Sequence, residues 1–300
     1  MLRVHHNALL RAVSALPVCL VTAIISLEYA VFMTAHWLLE LRRSVGLFVL
    51  LRVAEGLVFH FVVGCTLVAY YKVVFTDPGY VTPAVVQRAQ TALQEAMEQG
   101  SCTSLPVMSS CHRCQQLKPF RAHHCSFCNR CVLRMDHHCP WVANCIGEGN
   151  YKFFFHFVVY AFVALSMCAR ALAGPFLTAL YSRDGRRSDA GANLSAPVVV
   201  GFILSGALAI SLLGFIVVHS YLLVHGATTI ECHQYGRAFP FNQGWWKNLE
   251  VVLGETTTDR LLPTTPSPKQ QYVLHPAELE HLAADSCFDD SSDQEDDSLL

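Results

Sequence analysis

Apolar residues fall into four long runs along this 300-residue chain, separated by segments rich in charge, cysteine or serine. The first run extends from about Leu16 to Leu38 with Glu28 in its middle. The second lies within Val45 to Phe75 and carries Arg52 and Glu55 near its start. The third covers about Phe153 to Leu172, and the fourth about Pro197 to Val218, reaching towards His225. Each supplies the roughly 20 apolar residues that a bilayer crossing takes, and each is too continuous for an amphipathic surface helix. In lipid only helices and closed barrels satisfy their own backbone, so the pattern predicts four transmembrane helices. The fold class expected is an all-α polytopic membrane protein, with a cysteine-rich domain between helices 2 and 3.

Composition narrows the reading. With 53% hydrophobic and 15% charged residues the chain is too apolar for an ordinary soluble globule. A formal net charge of −2 and the lack of a basic, aromatic-laced stripe speak against nucleic acid as a partner. No cleavage signal follows the amino-terminal run, so residues 1–15 read as the lead-in to the first span. Four spans put both termini and the central loop on one side, which holds fourteen Lys/Arg against six on the other, with Arg170 near the far end of span three. By the positive-inside rule that side is the cytosol, with the Arg183, Arg186, Arg187 cluster as the main counterweight. The domains expected are a cytosolic 1–15, helices 1 and 2 over 16–75, and a cytosolic loop 76–152 whose cysteine-rich part begins near 109. Helices 3 and 4 follow over 153–225, then a cytosolic 226–270 and an acidic, solvated tail over 271–300. Asn193-Leu194-Ser195 fits a lumenal glycosylation sequon, and Glu295 to Leu300 resembles an acidic-dileucine sorting signal.

Charged residues inside the runs are functional candidates by default. Glu28 needs a partner or a proton. Arg52, Glu55 and Arg170 lie near span ends and read as snorkelling side chains. His60 and His219 read as satisfied packing residues.

Of thirteen cysteines, seven (Cys111, Cys114, Cys125, Cys128, Cys131, Cys139, Cys145) crowd into 35 residues rich in His, Arg and Lys. This spacing reads as metal ligation in a reducing compartment, not as a disulfide framework. Cys111-x2-Cys114 and Cys125-x2-Cys128-x2-Cys131 bring thiolates together across tight turns, as a tetrahedral zinc site requires. Two closed sites take eight ligands. Without Cys139 the loop offers six cysteines and five histidines (His112, His123, His124, His137, His138), enough for two Cys3His sites. Cys139 is then a cysteine that neither ion needs. It closes the run Asp136-His137-His138-Cys139, where an imidazole can take the thiol proton and the carboxylate can orient that imidazole. Adjacent histidines point to different sides, so one can bind zinc while the other serves the thiol. The competing reading makes all four residues part of the zinc sites.

The run Cys111-His-Arg-Cys114, Lys118-Pro119, Arg121, His123-His124-Cys125-x2-Cys128-x2-Cys131, Asp136-His137-His138-Cys139-Pro140-Trp141, Asn144-Cys145, Gly147 resembles the cysteine-rich domain of the DHHC-type protein S-palmitoyltransferases. The match continues without a gap through Asn150-Tyr151-Lys152-Phe153. Asp77-Pro78-Gly79 after span two, Thr228-Thr229-Ile230-Glu231 after span four and Asn248 within Trp245-Trp246-Lys247-Asn248 are similar to that family's flanking motifs.

The resemblance implies Cys139 as acyl-accepting nucleophile, His137 as its base and Asp136 as the residue that orients His137. It implies interleaved zinc ligands: Cys111, Cys114, His124 and Cys131 for one ion; Cys125, Cys128, His138 and Cys145 for the other. Thr229 and Asn248 become supporting residues. The expected activity moves a fatty acyl group, palmitoyl foremost, from acyl-coenzyme A through a Cys139 thioester to cysteines of substrate proteins. Two structural zinc ions are the cofactors and palmitoyl-coenzyme A is the acyl donor. The partners are membrane lipids and membrane-associated proteins with cytosolic cysteines. Lys118, Arg121, Arg130 and Arg134 are candidates for the coenzyme A phosphates by charge complementarity. Trp141, Trp245 and Trp246 read as membrane-surface anchors. Residence in the Golgi or endoplasmic reticulum follows from the resemblance alone. A catalytically inactive membrane zinc-finger scaffold or adaptor is the alternative. A RING-like module would need a closing cysteine pair after Cys145, and a transporter would show inverted repeats or paired broken helices; the chain has neither.

Overall fold

The computed structural model describes residues 8–98, 108–181 and 196–265. The sequon at Asn193, the acidic tail and the Leu299-Leu300 signal lie outside these residues. The chain divides into two compact units: residues 15–71 with 155–218, and residues 1–14, 72–154 and 219–300.

Among the described residues four helices are long and apolar enough to cross a membrane: Ala12–Arg43, Leu47–Phe75, Tyr151–Thr178 and Ala196–Val224. All four runs in the sequence are therefore helical, and the third extends beyond the expected Leu172. Span one comprises α1 (Ala8–Val31), one π-helical turn (Phe32–Trp37) and α2 (Leu38–Arg43). Spans two to four are α3 (Leu47–Phe75), α5 (Tyr151–Tyr181) and α6 (Ala196–Val224). Large apolar side chains such as Leu16, Phe48, Leu57, Ile210 and Val217 stand exposed on these helices, as lipid-facing positions do.

In the first unit the π turn widens span one and delivers Trp37 against Gly56 of α3. The indole Nε1 donates to the Arg52 carbonyl at 2.7 Å, and a Cβ at Gly56 would lie 2.5 Å from the ring. Next to it Phe32 stacks on Phe59 with centroids 3.8 Å apart. The charged residues read as snorkelling side chains also pair with one another. Glu55 accepts from Arg52 at 2.7 Å, is bonded by Arg170 and lies 3.4 Å from His36 Nε2. The Glu55 carboxylate is largely buried, and cations from its own helix and from neighbouring ones offset the cost of holding its charge there. Glu28 is 4% exposed. Both of its carboxyl oxygens lack a hydrogen-bond partner, and the Cys168 thiol approaches its main-chain carbonyl at 3.8 Å. His60 is satisfied by the Tyr29 hydroxyl and the Gly56 carbonyl.

The second unit holds the expected cysteine-rich domain, whose local structure adds short strands to the helical fold. Its cysteine-rich part is three antiparallel two-stranded hairpins: β1 (Ser110–Cys111) with β2 (Gln116–Leu117), β3 (Ala122–Cys125) with β4 (Arg130–Leu133), and β5 (His137–Cys139) with β6 (Asn144–Ile146). The strands are two to four residues long, too short for an alternating pattern to register in the sequence. Their turns pass through left-handed backbone at Gln115, Asn129 and Ala143. Helix α4 (Pro83–Glu98) precedes them, with proline at its first position and the Thr82 hydroxyl accepting from the Val85 amide.

Two short segments fasten the hairpins to the end of α3. The Asp77 carboxylate accepts from the amides of Gly79 and Tyr80 at 2.8 and 2.9 Å, shaping Asp77-Pro78-Gly79 into a turn. The Gly79 carbonyl then accepts from Leu133 and the Pro78 carbonyl from Gly149. Gly149 comes so close that a Cβ would lie 2.2 Å from the Asp77 carbonyl oxygen. The amide of Asn144 donates to the carbonyls of Val73, Val74 and Thr76, and that of Asn150 to Val73 and Cys145. Carbonyls orphaned at the end of α3 are thereby capped.

Candidate active site

Hairpin pairing decides which cysteines meet. His124 stands opposite Cys131 in the β3–β4 register, and His138 opposite Cys145 in β5–β6. The first cluster is Cys111, Cys114, His124 and Cys131; the second is Cys125, Cys128, His138 and Cys145. Within each, the four ligand atoms lie within 4.8 Å of one another. His124 Nδ1 is 3.5, 3.2 and 3.9 Å from the sulfurs of Cys111, Cys114 and Cys131. His138 Nδ1 is 3.7, 3.5 and 3.5 Å from those of Cys125, Cys128 and Cys145. A tetrahedral zinc with bonds of about 2.3 Å to sulfur and 2.0–2.1 Å to nitrogen places sulfur and nitrogen about 3.6 Å apart. The residues therefore fit zinc. In both close pairs the amide of the second cysteine points at the sulfur of the first, at 3.4 and 3.3 Å, which favours a thiolate there.

Cys139 belongs to neither cluster. It ends β5 and is 7% exposed, directly before the single 3-10 turn Pro140–Val142. His137 lies two residues back on the same strand and therefore on the same face, while His138 points to the opposite face and the second cluster. His137 Nδ1 is 2.6 Å from Asp136 Oδ2. Burial alone would lower the His137 imidazole, but the Asp136 hydrogen bond and charge, with the Cys139 sulfur, hold it up at about 9. Burial would likewise raise Asp136, whose side chain is fully buried. Its bond to His137 and the charges of His137 and His219 hold it below the usual carboxylate value instead.

Asp136 is itself held. Thr229, at the start of α7 (Thr229–Tyr235), donates its amide to Asp136 Oδ1 at 2.9 Å and its hydroxyl to the Asp136 carbonyl. Thr228 and Glu231 close a capping box around that helix start. Glu231 also binds Arg121 through both carboxylate oxygens, at 2.5 and 2.8 Å. The Arg121 guanidinium donates to the Gly226 carbonyl and lies 4.2 Å from the centre of the Phe241 ring. Burial would raise Glu231; Arg121 outweighs it and holds the carboxyl low. Asn248, buried in α8 (Trp245–Leu253), donates to the Val224 carbonyl and the Asn242 side chain, both at 2.7 Å, and accepts from the Gln243 amide. It fixes the chain between α6 and α8, through which Gly226 passes in left-handed backbone.

The four cations considered for phosphate binding separate. Arg121 is 6% exposed and committed to Glu231, so its guanidinium is not open to a ligand. Arg130 is exposed on β4, 5.2 Å above the Tyr80 ring. Lys118 and Arg134 are half-buried, the latter near enough for its charge to help hold Glu231 low. Trp141, Trp245 and Trp246 are exposed, with Arg260 stacked 4.2 Å from Trp246.

Sequence reasoning did not bring three rings, those of Phe154, His219 and Tyr151, to the His137 imidazole. Phe154 meets it edge-on with centroids 5.2 Å apart, His219 lies at 6.1 Å, and the Tyr151 hydroxyl is 3.0 Å from His219 Nδ1. The signals near them were the Asn150-Tyr151-Lys152-Phe153 similarity and the polar His219 inside the fourth apolar run.

The family model described as DHHC palmitoyltransferase matches residues 107–236. The chain is 35% identical over 252 residues to Probable protein S-acyltransferase 12 of Arabidopsis thaliana, covering 82% of this chain and 85% of that one. It is 33% identical over 266 residues to Probable protein S-acyltransferase 14 of the same plant, covering 85% of each. Against Palmitoyltransferase ZDHHC15 of Rattus norvegicus the identity is 37% over 166 residues, 53% of this chain and 47% of the other. With that similarity running through spans, hairpins and flanking motifs together, this chain belongs to the DHHC palmitoyltransferase family.

Proposed function

We propose that this multi-pass membrane S-acyltransferase works by two thioester exchanges through Cys139. In the first, His137 takes the thiol proton and the Cys139 sulfur attacks the carbonyl carbon of a fatty acyl-coenzyme A. The carbon–sulfur bond to coenzyme A breaks, and the departing thiolate recovers the proton from His137. In the second, a substrate cysteine gives its proton to His137 and attacks the acyl-Cys139 carbonyl, and Cys139 leaves as thiolate, reprotonated by His137. Each step replaces one thioester by another, so the residues chiefly supply position and activation. Asp136 keeps the His137 ring in register and stabilises its charged form; Thr229 and Asn248 act through Asp136 and the chain around it.

Zinc bound by the two Cys3His sets would cross-link the three hairpins into a stiff frame. The Asp136 to Cys139 run needs such a frame, because strands this short do not hold a geometry unaided. Palmitoyl-coenzyme A is the donor proposed, since each buried CH2 gains about 0.8 kcal/mol and a long acyl chain is retained by the bilayer. Lys118, Arg130 and Arg134 are the proposed phosphate contacts. The acceptors are cysteines of membrane-associated proteins on the cytosolic face, where the Lys/Arg bias puts the hairpins, and the membrane is that of the Golgi or endoplasmic reticulum.

The observation that carries this reading is that Cys139 stands beside His137, itself bonded to the buried Asp136, while both metal sets are complete without it. An inactive scaffold would not need that pair. Purified protein given an alkyne-tagged palmitoyl-coenzyme A should acquire a label that hydroxylamine removes and that Cys139→Ser lacks. An undiminished label in Cys139→Ser sinks the proposal.

A further inference from the structure

Behind the His137 imidazole, on the side away from solvent, three buried rings lean on one another. Phe154 and His219 meet edge-on with centroids 5.0 Å apart, and each faces His137. His219 is 3% exposed, Phe154 5% and Tyr151 9%. The wall would be apolar but for His219, whose Nδ1 is tied to the Tyr151 hydroxyl at 3.0 Å. A buried polar ring costs free energy unless it is hydrogen-bonded, and a phenylalanine would fill the same space without that requirement. Here the polar ring is present, bonded to a tyrosine one helical turn before Phe154.

We propose that His219, held in place by Tyr151, is a positioning residue for the His137 imidazole. This rests on the reading of His137 as the base for Cys139. Asp136 fixes only Nδ1 of the ring; a ring anchored at one atom still swings, and its other nitrogen must stay on the Cys139 sulfur. Phe154 and His219 block the swing from behind and keep water from the Asp136–His137 bond. Tyr151 acts chiefly through His219, its ring packing also on Phe154.

The test uses full-length protein in detergent with three variants: His219→Phe, Tyr151→Phe and both together. The readouts are the maximal rate of acyl-enzyme formation, the palmitoyl-coenzyme A concentration at half that rate, the rate of Cys139 alkylation by iodoacetamide, the zinc content and the melting temperature. A misplaced base slows chemistry without weakening substrate binding. His219→Phe should lower the maximal acylation rate and the alkylation rate about tenfold or more, with half-saturation and zinc content unchanged. Tyr151→Phe should lose less, and the double variant should be no slower than His219→Phe if the hydroxyl acts through the ring it holds, as proposed. Unchanged rates in His219→Phe overturn the proposal. So does a loss that follows zinc or melting temperature in proportion, which marks a packing role, or a double variant whose losses multiply. Should His219→Phe not fold, Tyr151→Phe alone decides, with its rates unchanged counting against the proposal. Failure of the catalytic reading shows separately, as a label persisting in Cys139→Ser.

Discussion

At the scale of single residues, the chemistry is carried by groups that are held more than once. Asp136 bonds His137 through one carboxylate oxygen and accepts the Thr229 amide on the other, while Glu231 both caps the α7 start and clamps Arg121. The Arg121–Glu231 pair ties the first residue before β3 to the helix that steadies Asp136, across 110 residues of chain. Glu231→Gln leaves a guanidinium 6% exposed beside an amide, which should cost about 3–5 kcal/mol, as removing one partner of a buried pair does. Adding Arg121→Met should recover much of the loss. The pH dependence has a definite sign. The folded Glu231 carboxyl titrates below its ordinary value of 4.5, so the pair stabilises fully above that pH and its contribution disappears as pH falls through the lower folded value. Thermal unfolding from neutral to acid pH should show the gap between parent and Glu231→Gln narrowing only at the acid end. A gap independent of pH, or none, would contradict this assignment.

At the scale of elements, the ligand pattern was legible because zinc imposes it. Thiolates separated by two residues across a turn are a local signature, and the count of six cysteines and two histidines follows from the loop alone. Which cysteine joins which ion came from the family resemblance, since the interleaving is a property of hairpin register that spacing does not encode. The hairpins themselves were not legible, because strands of two to four residues closed by metal have no periodicity to read. Nor was the π turn at Phe32–Trp37, whose reason is the close approach of Trp37 to Gly56 on another span. The Asp77-Pro78-Gly79 turn was visible as a motif, but its partner was not: it receives Gly149 with no room for a side chain. Gly149→Ala places a methyl 2.2 Å from the Asp77 carbonyl oxygen, so the backbone must shift and two carbonyl–amide bonds of the turn weaken. A destabilisation of about 2–3 kcal/mol, seen as a lower melting temperature with slower acylation, is expected. Wild-type stability in Gly149→Ala would show that the clasp is looser than its geometry.

At the scale of the whole molecule, hydropathy located four spans and the fold class because lipid leaves the backbone so few choices. It did not show which charges and rings inside them meet. Glu55 and Arg170 lie 115 residues apart and read singly as snorkelling side chains, and they also pair with each other. His219 read as a satisfied packing residue, as its burial and its bond to Tyr151 bear out, but its approach to the His137 ring was not visible. Both have one cause: a contact between distant positions leaves no trace in the local pattern of either. What the pattern did expose was a cysteine in excess of what two metal sites require, and the functional account depends on that surplus. The most direct test is therefore metal content, not activity. Zinc measured by elemental analysis on purified parent, Cys139→Ser and Cys125→Ala should give two ions per chain in the first two and fewer in the third, with the acyl label lost from Cys139→Ser. Zinc loss in Cys139→Ser would make Cys139 a ligand and contradict its assignment as the nucleophile.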